Sequence, residues 1–217
     1  MEKRILCYGD SNTWGYIPLT GERYESDTRW TPVLARELGE GYTVIEEGLG
    51  GRTTVFDDPH VPCRNGREGL PYALLTARPL DYVIVMLGTN DLPHTNAFGY
   101  SRGVSELVLR ILNAGVFYKD SSKIFRGEPR VLLVSPIRLH PEIDRIMPES
   151  GYRGKYDESC RFAEFTRQVA ESYGIPWLDA AQFAVPSDAD GVHMLPEGHK
   201  ALGKALAQKL RELGWVE

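Results

Sequence analysis

Residues 82–87, Tyr-Val-Ile-Val-Met-Leu, form an unbroken apolar run. A run without polar alternation fits a strand covered on both faces, which restricts the chain to folds that bury a sheet between two layers. Further apolar runs at 4–8, 42–46, 130–135 and 177–178 read as four more strands. Between them, 30–38, 101–112, 160–172 and 196–213 carry helical patterns; in 101–112 the apolar residues fall at 104, 107, 108, 111 and 112. Thr31 stands where it could cap the first of these helices, with Pro32 in its first turn. Strands alternating with helices predict an α/β fold, a three-layer α/β/α sandwich around a five-stranded parallel sheet. The stretches 15–29 and 113–129 show no regular pattern. No repeat, linker or composition break divides the chain, so residues 1–217 are expected to form a single domain.

The 217 residues are 42% hydrophobic and 25% charged, ordinary for a soluble globular protein. A formal net charge of -5 and the lack of a Lys/Arg cluster argue against nucleic-acid binding. Cys7, Cys63 and Cys160 are odd in number and lack metal-ligand spacing. Cys7, inside the first strand, reads as a small buried hydrophobe, and no disulfide is implied. Met1-Glu2-Lys3-Arg4 leads directly into that strand, and no apolar run approaches membrane-span length. The expectation is a cytoplasmic protein with no membrane partner.

The first strand breaks into Gly9-Asp10-Ser11-Asn12, a turn with a hydroxyl at its tip. Gly51 follows the second strand, Asn90 the third, and Asp190 and His193 the fifth. The carboxyl ends of parallel strands share one edge, so these residues should converge there. A serine hydroxyl becomes a competent nucleophile once an imidazole takes its proton. A carboxylate holds that imidazole in the right tautomer and stabilises the imidazolium. Ser11, the Gly51 region and Asn90 could then donate hydrogen bonds to a developing oxyanion. The small-molecule partner this chemistry suits is an ester.

These blocks, in this order, resemble the SGNH hydrolases, also called the GDSL family of esterases and lipases. The family's Ser, Gly, Asn and His blocks fall on Ser11, Gly51, Asn90 and His193, and the likeness runs from Ile5 into the final helix. It implies the flavodoxin-like SGNH hydrolase fold, with Ser11 as nucleophile, His193 as base and Asp190 as orienting acid. It also implies an oxyanion hole of the Ser11 and Gly51 amides and the Asn90 side chain, with no cofactor. Asn12 stands where the usual motif has Leu, and Glu46 where many relatives carry Asn. Lys3-Arg4-Ile5-Leu6-Cys7, Thr13-Trp14-Gly15, Arg29-Trp30-Thr31, Arg52-Thr53-Thr54 and Met86-Leu87-Gly88-Thr89-Asn90-Asp91 resemble the bacterial arylesterase and acyltransferase branch most. That branch implies cleavage of short acyl esters, with acyl transfer to alcohols or peroxide in some members. It implies a homo-oligomer as well, octamers among them, and the 21–29 insertion would suit such a contact. Carbohydrate acetylesterases, lysophospholipases and thioesterases are the enzymatic alternatives, and a catalytically silent ligand-binding relative is the non-enzymatic one.

Competing motifs are weaker. Gly99-Tyr100-Ser101-Arg102-Gly103 fits the α/β-hydrolase elbow, yet no buried strand precedes it. Ser101 reads better as a helix cap. His193 and His199 do not stack on one helix face, and no third ligand is evident, so no metal is expected. Gly48-Leu49-Gly50-Gly51 lacks the full dinucleotide pattern. Asp10 and Asp91 suit backbone and turn hydrogen bonding. Asn12, Trp14, His94 and Phe98 are the candidate substrate-binding residues; His60 and His140 fall in solvated loops.

Overall fold

Each apolar run becomes a strand because alternate side chains leave it on opposite faces and both faces are covered. The computed structural model describes residues 1–118 and 123–217; residues 119–122, within the stretch expected to be irregular, lie outside the described residues. The strands are β1 (Lys3–Gly9), β2 (Tyr42–Gly48), β3 (Tyr82–Met86), β4 (Val131–Ser135) and β5 (Trp177–Asp179). They form one sheet in the order β2-β1-β3-β4-β5, every neighbouring pair parallel. The helices are α1 (Ser11–Trp14), α2 (Trp30–Leu38), α3 (Gly66–Ala77), α4 (Ala97–Leu112), α5 (Ala114–Phe117), α6 (Ile143–Ile146), α7 (Tyr156–Cys160), α8 (Phe162–Tyr173) and α9 (Pro196–Glu212).

The alternation within β1 sorts the core into two layers. Ile5 and Cys7 pack with Ile84, Leu132 and Val134 beneath α2 and α9. Leu6 and Tyr8 pack with Val83, Val85 and Leu133 beneath α3, α4 and α8. The three-layer α/β/α sandwich is therefore present as expected. The chain leaves β1 for β2 on one side and returns to β3 on the other, which makes the β1–β3 boundary the switch point. Gly9 and Met86 are register partners there, so the segments after β1 and β3 open into one crevice.

Three local expectations are corrected. The helix α3 was not anticipated, because Gly66, Gly69 and Pro71 obscure its period. Asn65 caps it by accepting from Arg67 N at 3.0 Å. Thr31 is not a cap: Arg29 holds the cap position of α2, and the Thr31 hydroxyl donates to Glu46 instead. Ser101 is not a cap either. It lies inside α4 and donates to Phe98 O at 2.7 Å, while Asn96 caps the helix by accepting from Gly99 N at 3.0 Å.

The end of β2 sets the position of α1. A Cβ on Gly48 would lie 2.2 Å from Trp14 N and 2.5 Å from Trp14 Cα. Both are backbone atoms that cannot swing aside. Gly48→Ala is therefore expected to cost on the order of 1–3 kcal/mol, read as a lower urea midpoint at unchanged slope. An unchanged midpoint would show that α1 moves freely against the sheet.

Candidate active site

Asp10 follows β1 and caps α1, accepting from Asn12 N at 2.9 Å. Ser11 thereby starts a one-turn helix at the carboxyl edge of the sheet. Its Oγ lies 2.8 Å from His193 Nε2, and His193 Nδ1 lies 2.7 Å from Asp190 Oδ2. The other carboxylate oxygen, Asp190 Oδ1, accepts from Val192 N and His193 N at 3.0 Å each. Burial pushes the Asp190 carboxyl up, but the His193 ring and these two amides outweigh it and hold it below its ordinary range. An ionised Asp190 can only accept, so His193 Nδ1 carries the proton and Nε2 is left bare toward the serine hydroxyl. The structure thus brings together the Ser, Asp and His that the sequence singled out.

Gly51 and Asn90 border the same space. Gly51 has φ +74°, a conformation that favours glycine. Asn90 follows β3 in a 3₁₀ turn, and its side chain is held at both ends. Its Nδ2 donates to Arg52 O at 3.1 Å, and its Oδ1 accepts from Tyr152 Oη at 2.8 Å. With Ser11, His193 and Asp190 they line a cleft of about 350 Å³ whose remaining wall includes Tyr16, Leu19, Arg64, Met147 and Tyr152.

The candidate substrate-binding residues lie elsewhere. Asn12 is only 4% exposed and turns inward, donating from Nδ2 to Val192 O at 3.2 Å and accepting from Met194 N at 2.9 Å. Trp14 lies beneath the Arg23 guanidinium, because α1 ends at the left-handed Gly15 and Tyr16 follows into the cleft. The Tyr16 ring packs against His193 with centroids 4.4 Å apart. His94 is exposed and stacks on Phe56, and Phe98 is exposed with its edge toward Phe165. Sequence reasoning missed Tyr16, Arg64 and Tyr152. Tyr152 sits in an irregular Gly-Tyr-Arg-Gly segment with no local signal that it meets Asn90.

Glu46 accounts for one departure from the usual pattern. It takes a two-pronged bond from Arg29, at 2.9 Å from Nε and 2.8 Å from Nη2, and a third from Arg23 at 3.3 Å. Burial pushes its carboxyl up, but Arg29 and Thr31 outweigh that and hold it low. These contacts tie the 15–29 stretch to β2. Among the described residues, no group of three or more His, Cys, Asp or Glu side chains is placed to hold a metal ion. No helix among them is long and apolar enough to cross a membrane.

A strand-end serine bonded to a histidine and an aspartate, with Gly and Asn blocks beside them on a five-stranded parallel sheet, defines the SGNH class. The family model of GDSL-like lipases and acylhydrolases matches residues 7–201, and the chain belongs to that family. It is a carboxylic ester hydrolase of the SGNH type. The inhibitor-bound aryl esterase of M. smegmatis is 37% identical, with TM-score 0.86 over 97% of this chain and 99% of that one. Est24, a carbohydrate acetylesterase from Sinorhizobium meliloti, is 35% identical, with TM-score 0.89 over 98% and 100%. A lipase/acylhydrolase from Enterococcus faecalis, 18% identical at TM-score 0.66 over 99% and 97%, shares the fold. No curated protein matches the chain.

Two buried acids brace the site from behind. Burial pushes Asp10 up to about 6, against the Asn12 amide, His193 and Arg52, which favour its charged form. Burial pushes Asp91 up to about 7, and the neighbouring Asp10 adds to this. Asp91 accepts from Thr54 N at 2.7 Å and from the Thr54 hydroxyl, tying the Gly51 and Asn90 blocks together. A carboxyl raised from 3.8 to about 7 binds its proton more tightly in the folded state. The stability this supplies is complete below the unfolded value and is lost as pH rises through about 7. Asp91→Asn should therefore flatten the decline in urea midpoint between about pH 4 and 7; an equally steep decline in the variant would assign it to other groups.

Proposed function

We propose that the chain hydrolyses short-chain, acetyl-type carboxylic esters, aryl esters among them, through an acyl-enzyme on Ser11. The observation that carries this reading is the 2.8 Å approach of Ser11 Oγ to a His193 whose other ring nitrogen is held by Asp190. In the reaction, Ser11 Oγ attacks the ester carbonyl as its proton passes to His193 Nε2. The imidazolium that forms is stabilised by Asp190. The carbonyl oxygen becomes an oxyanion facing the Ser11 and Gly51 amides and Asn90 Nδ2. Collapse breaks the ester C–O bond, and His193 returns the proton to the departing alcohol. Water, activated by His193, then attacks the acyl-enzyme and releases the acid. An alcohol or peroxide taking the place of that water would give acyl transfer.

The likeness to the M. smegmatis aryl esterase supports aryl substrates, and the likeness to Est24 favours deacetylation of carbohydrates as a second reading. A cleft of about 350 Å³ bordered by Asn90, Arg64 and two tyrosines suits a short-acyl ester better than one with a lipid chain. The reading further takes residues 1–217 as one domain, active in the cytoplasm as a homo-oligomer. Light scattering that returns a monomer mass would remove the oligomer from it.

Turnover of p-nitrophenyl acetate is expected to fall by about 10³-fold or more in Ser11→Ala and to survive in Ser101→Ala. The reverse pattern would move the nucleophile to α4, and an inert wild type would favour the silent binding relative. Rates on p-nitrophenyl esters should drop steeply beyond butyrate; a flat profile would favour the lipid enzymes. Tyr152 acts through Asn90, so Tyr152→Phe should lower kcat by about 3- to 10-fold with KM within about twofold. A change confined to KM would instead place Tyr152 against the ground-state substrate.

A further inference from the structure

The cleft contains one full charge that the proposed reaction does not use. Arg64 lines it and is half-buried. The other charged group in the lining, Asp190, is bonded to His193. Among the described residues, the Arg64 guanidinium has neither a hydrogen-bond acceptor nor an ion-pair partner. Its neighbour Arg52 is different. Arg52 donates to Gly9 O at 2.9 Å and to Glu47 O, and lies over the Tyr8 ring at 4.1 Å. Arg52 is thus a structural cation, and its positive charge repels Arg64.

The backbone beneath Arg64 is fixed. Arg64 O accepts from Thr53 N at 2.9 Å, and the next residue, Asn65, caps α3. The side chain lies along Gly51, where a Cβ would be 3.3 Å from Arg64 Nε and 3.6 Å from its Cζ. A Cβ on the preceding Gly50 would be 4.0 Å from Ser11 Cβ. Successive residues of one wall therefore face first the serine and then the guanidinium. A substrate that fills the cleft strips water from that cation, which is unfavourable unless the substrate supplies an anion. The planar guanidinium fork matches the paired oxygens of a carboxylate or phosphate.

We propose that Arg64 recognises an anionic group, a carboxylate or phosphate, on the alcohol part of the ester, so that short-acyl esters of acidic alcohols are the substrate class. This rests on the esterase reading of the cleft: where the acyl group is short, the alcohol is the part that extends to Arg64.

The test compares kcat/KM for 4-acetoxybenzoate and its neutral methyl ester in the wild type, Arg64→Ala and Arg64→Lys. The anion-to-neutral ratio should fall about tenfold or more in Arg64→Ala, chiefly through KM for the anion. Arg64→Lys should keep part of the preference, and added salt should weaken it. A ratio in Arg64→Ala within about twofold of wild type overturns the proposal. Using 4-acetoxyphenyl phosphate in the same comparison tells phosphate from carboxylate recognition. Calorimetric binding of 4-acetamidobenzoate, an amide analogue, to Ser11→Ala with and without Arg64→Ala separates the two ideas. Arg64-dependent binding without ester turnover in the wild type would uphold anion recognition and sink the hydrolysis reading. Turnover with Arg64-independent binding would do the opposite.

Discussion

One buried amide side chain joins the two ends of the chain at the site. Ser11 and His193 are separated by 182 positions, and Asn12 bridges that gap with hydrogen bonds to Val192 O and Met194 N. These bonds fall on either side of His193, so the backbone carrying the imidazole is pinned before and after it. The turn is closed from within by Asp190, which accepts from the amides of residues 192 and 193. A leucine at position 12 could make neither bond, and the carbonyl and amide would have to find other partners or remain unpaired at a cost of about 1–3 kcal/mol each. The asparagine that departs from the usual motif is thus a structural clamp on the turn that carries His193.

Glu46, the second departure, works at longer range. Its carboxylate gathers Arg29, Arg23 and Thr31 at the edge of the sheet. The Arg29 guanidinium also donates to Tyr24 O at 2.6 Å, so the irregular stretch between α1 and α2 is fastened from two sides. Near the start of that stretch is Tyr16, whose ring packs against His193. A charge cluster behind β2 therefore helps fix an aromatic surface over the imidazole. Neither departure removes a group from the Ser, His and Asp set.

Much of this was legible in the sequence for a geometric reason. The apolar run at Tyr82–Met86 is a strand buried along its length, and parallel strands deliver whatever follows them to one edge. Ser11, Gly51, Asn90 and His193 thus converge without any knowledge of side-chain direction. Side-chain direction is where legibility ends. Trp14 and Tyr16 are two residues apart, and the left-handed Gly15 between them decides which one meets the cleft. Arg64 and Tyr152 come from segments whose paths are set by distant partners, Thr53 in one case and Asn90 in the other. The helix α3 was hidden for a related reason. Gly69 breaks its pattern because Tyr8 Oη would come within 2.9 Å of a Cβ there, so tertiary packing dictated the residue that obscured the local signal.

The charges around Ser11 bear directly on the proposed reaction. Oxyanion formation at Ser11 would add negative charge to a cleft that already holds Asp190, whose ionised form supports the imidazolium. Two further ionised carboxylates at Asp10 and Asp91 would oppose that step across a medium that screens poorly. Burial counters this chiefly at Asp91, which it raises to about 7; Asp10, raised to about 6, keeps most of its charge near neutrality. Arg52, which favours the charged form of Asp10, and Arg64 in the cleft lining contribute positive charge to the same region. Asp91 bears on Thr54 and Asp10 on Asn12, so the groups that hold the site in shape also set its field. Loss of either acid would thus change geometry and charge together, whereas the Arg64 guanidinium has no hydrogen-bond or ion-pair partner among the described residues, so its loss bears on the charge and lining of the cleft.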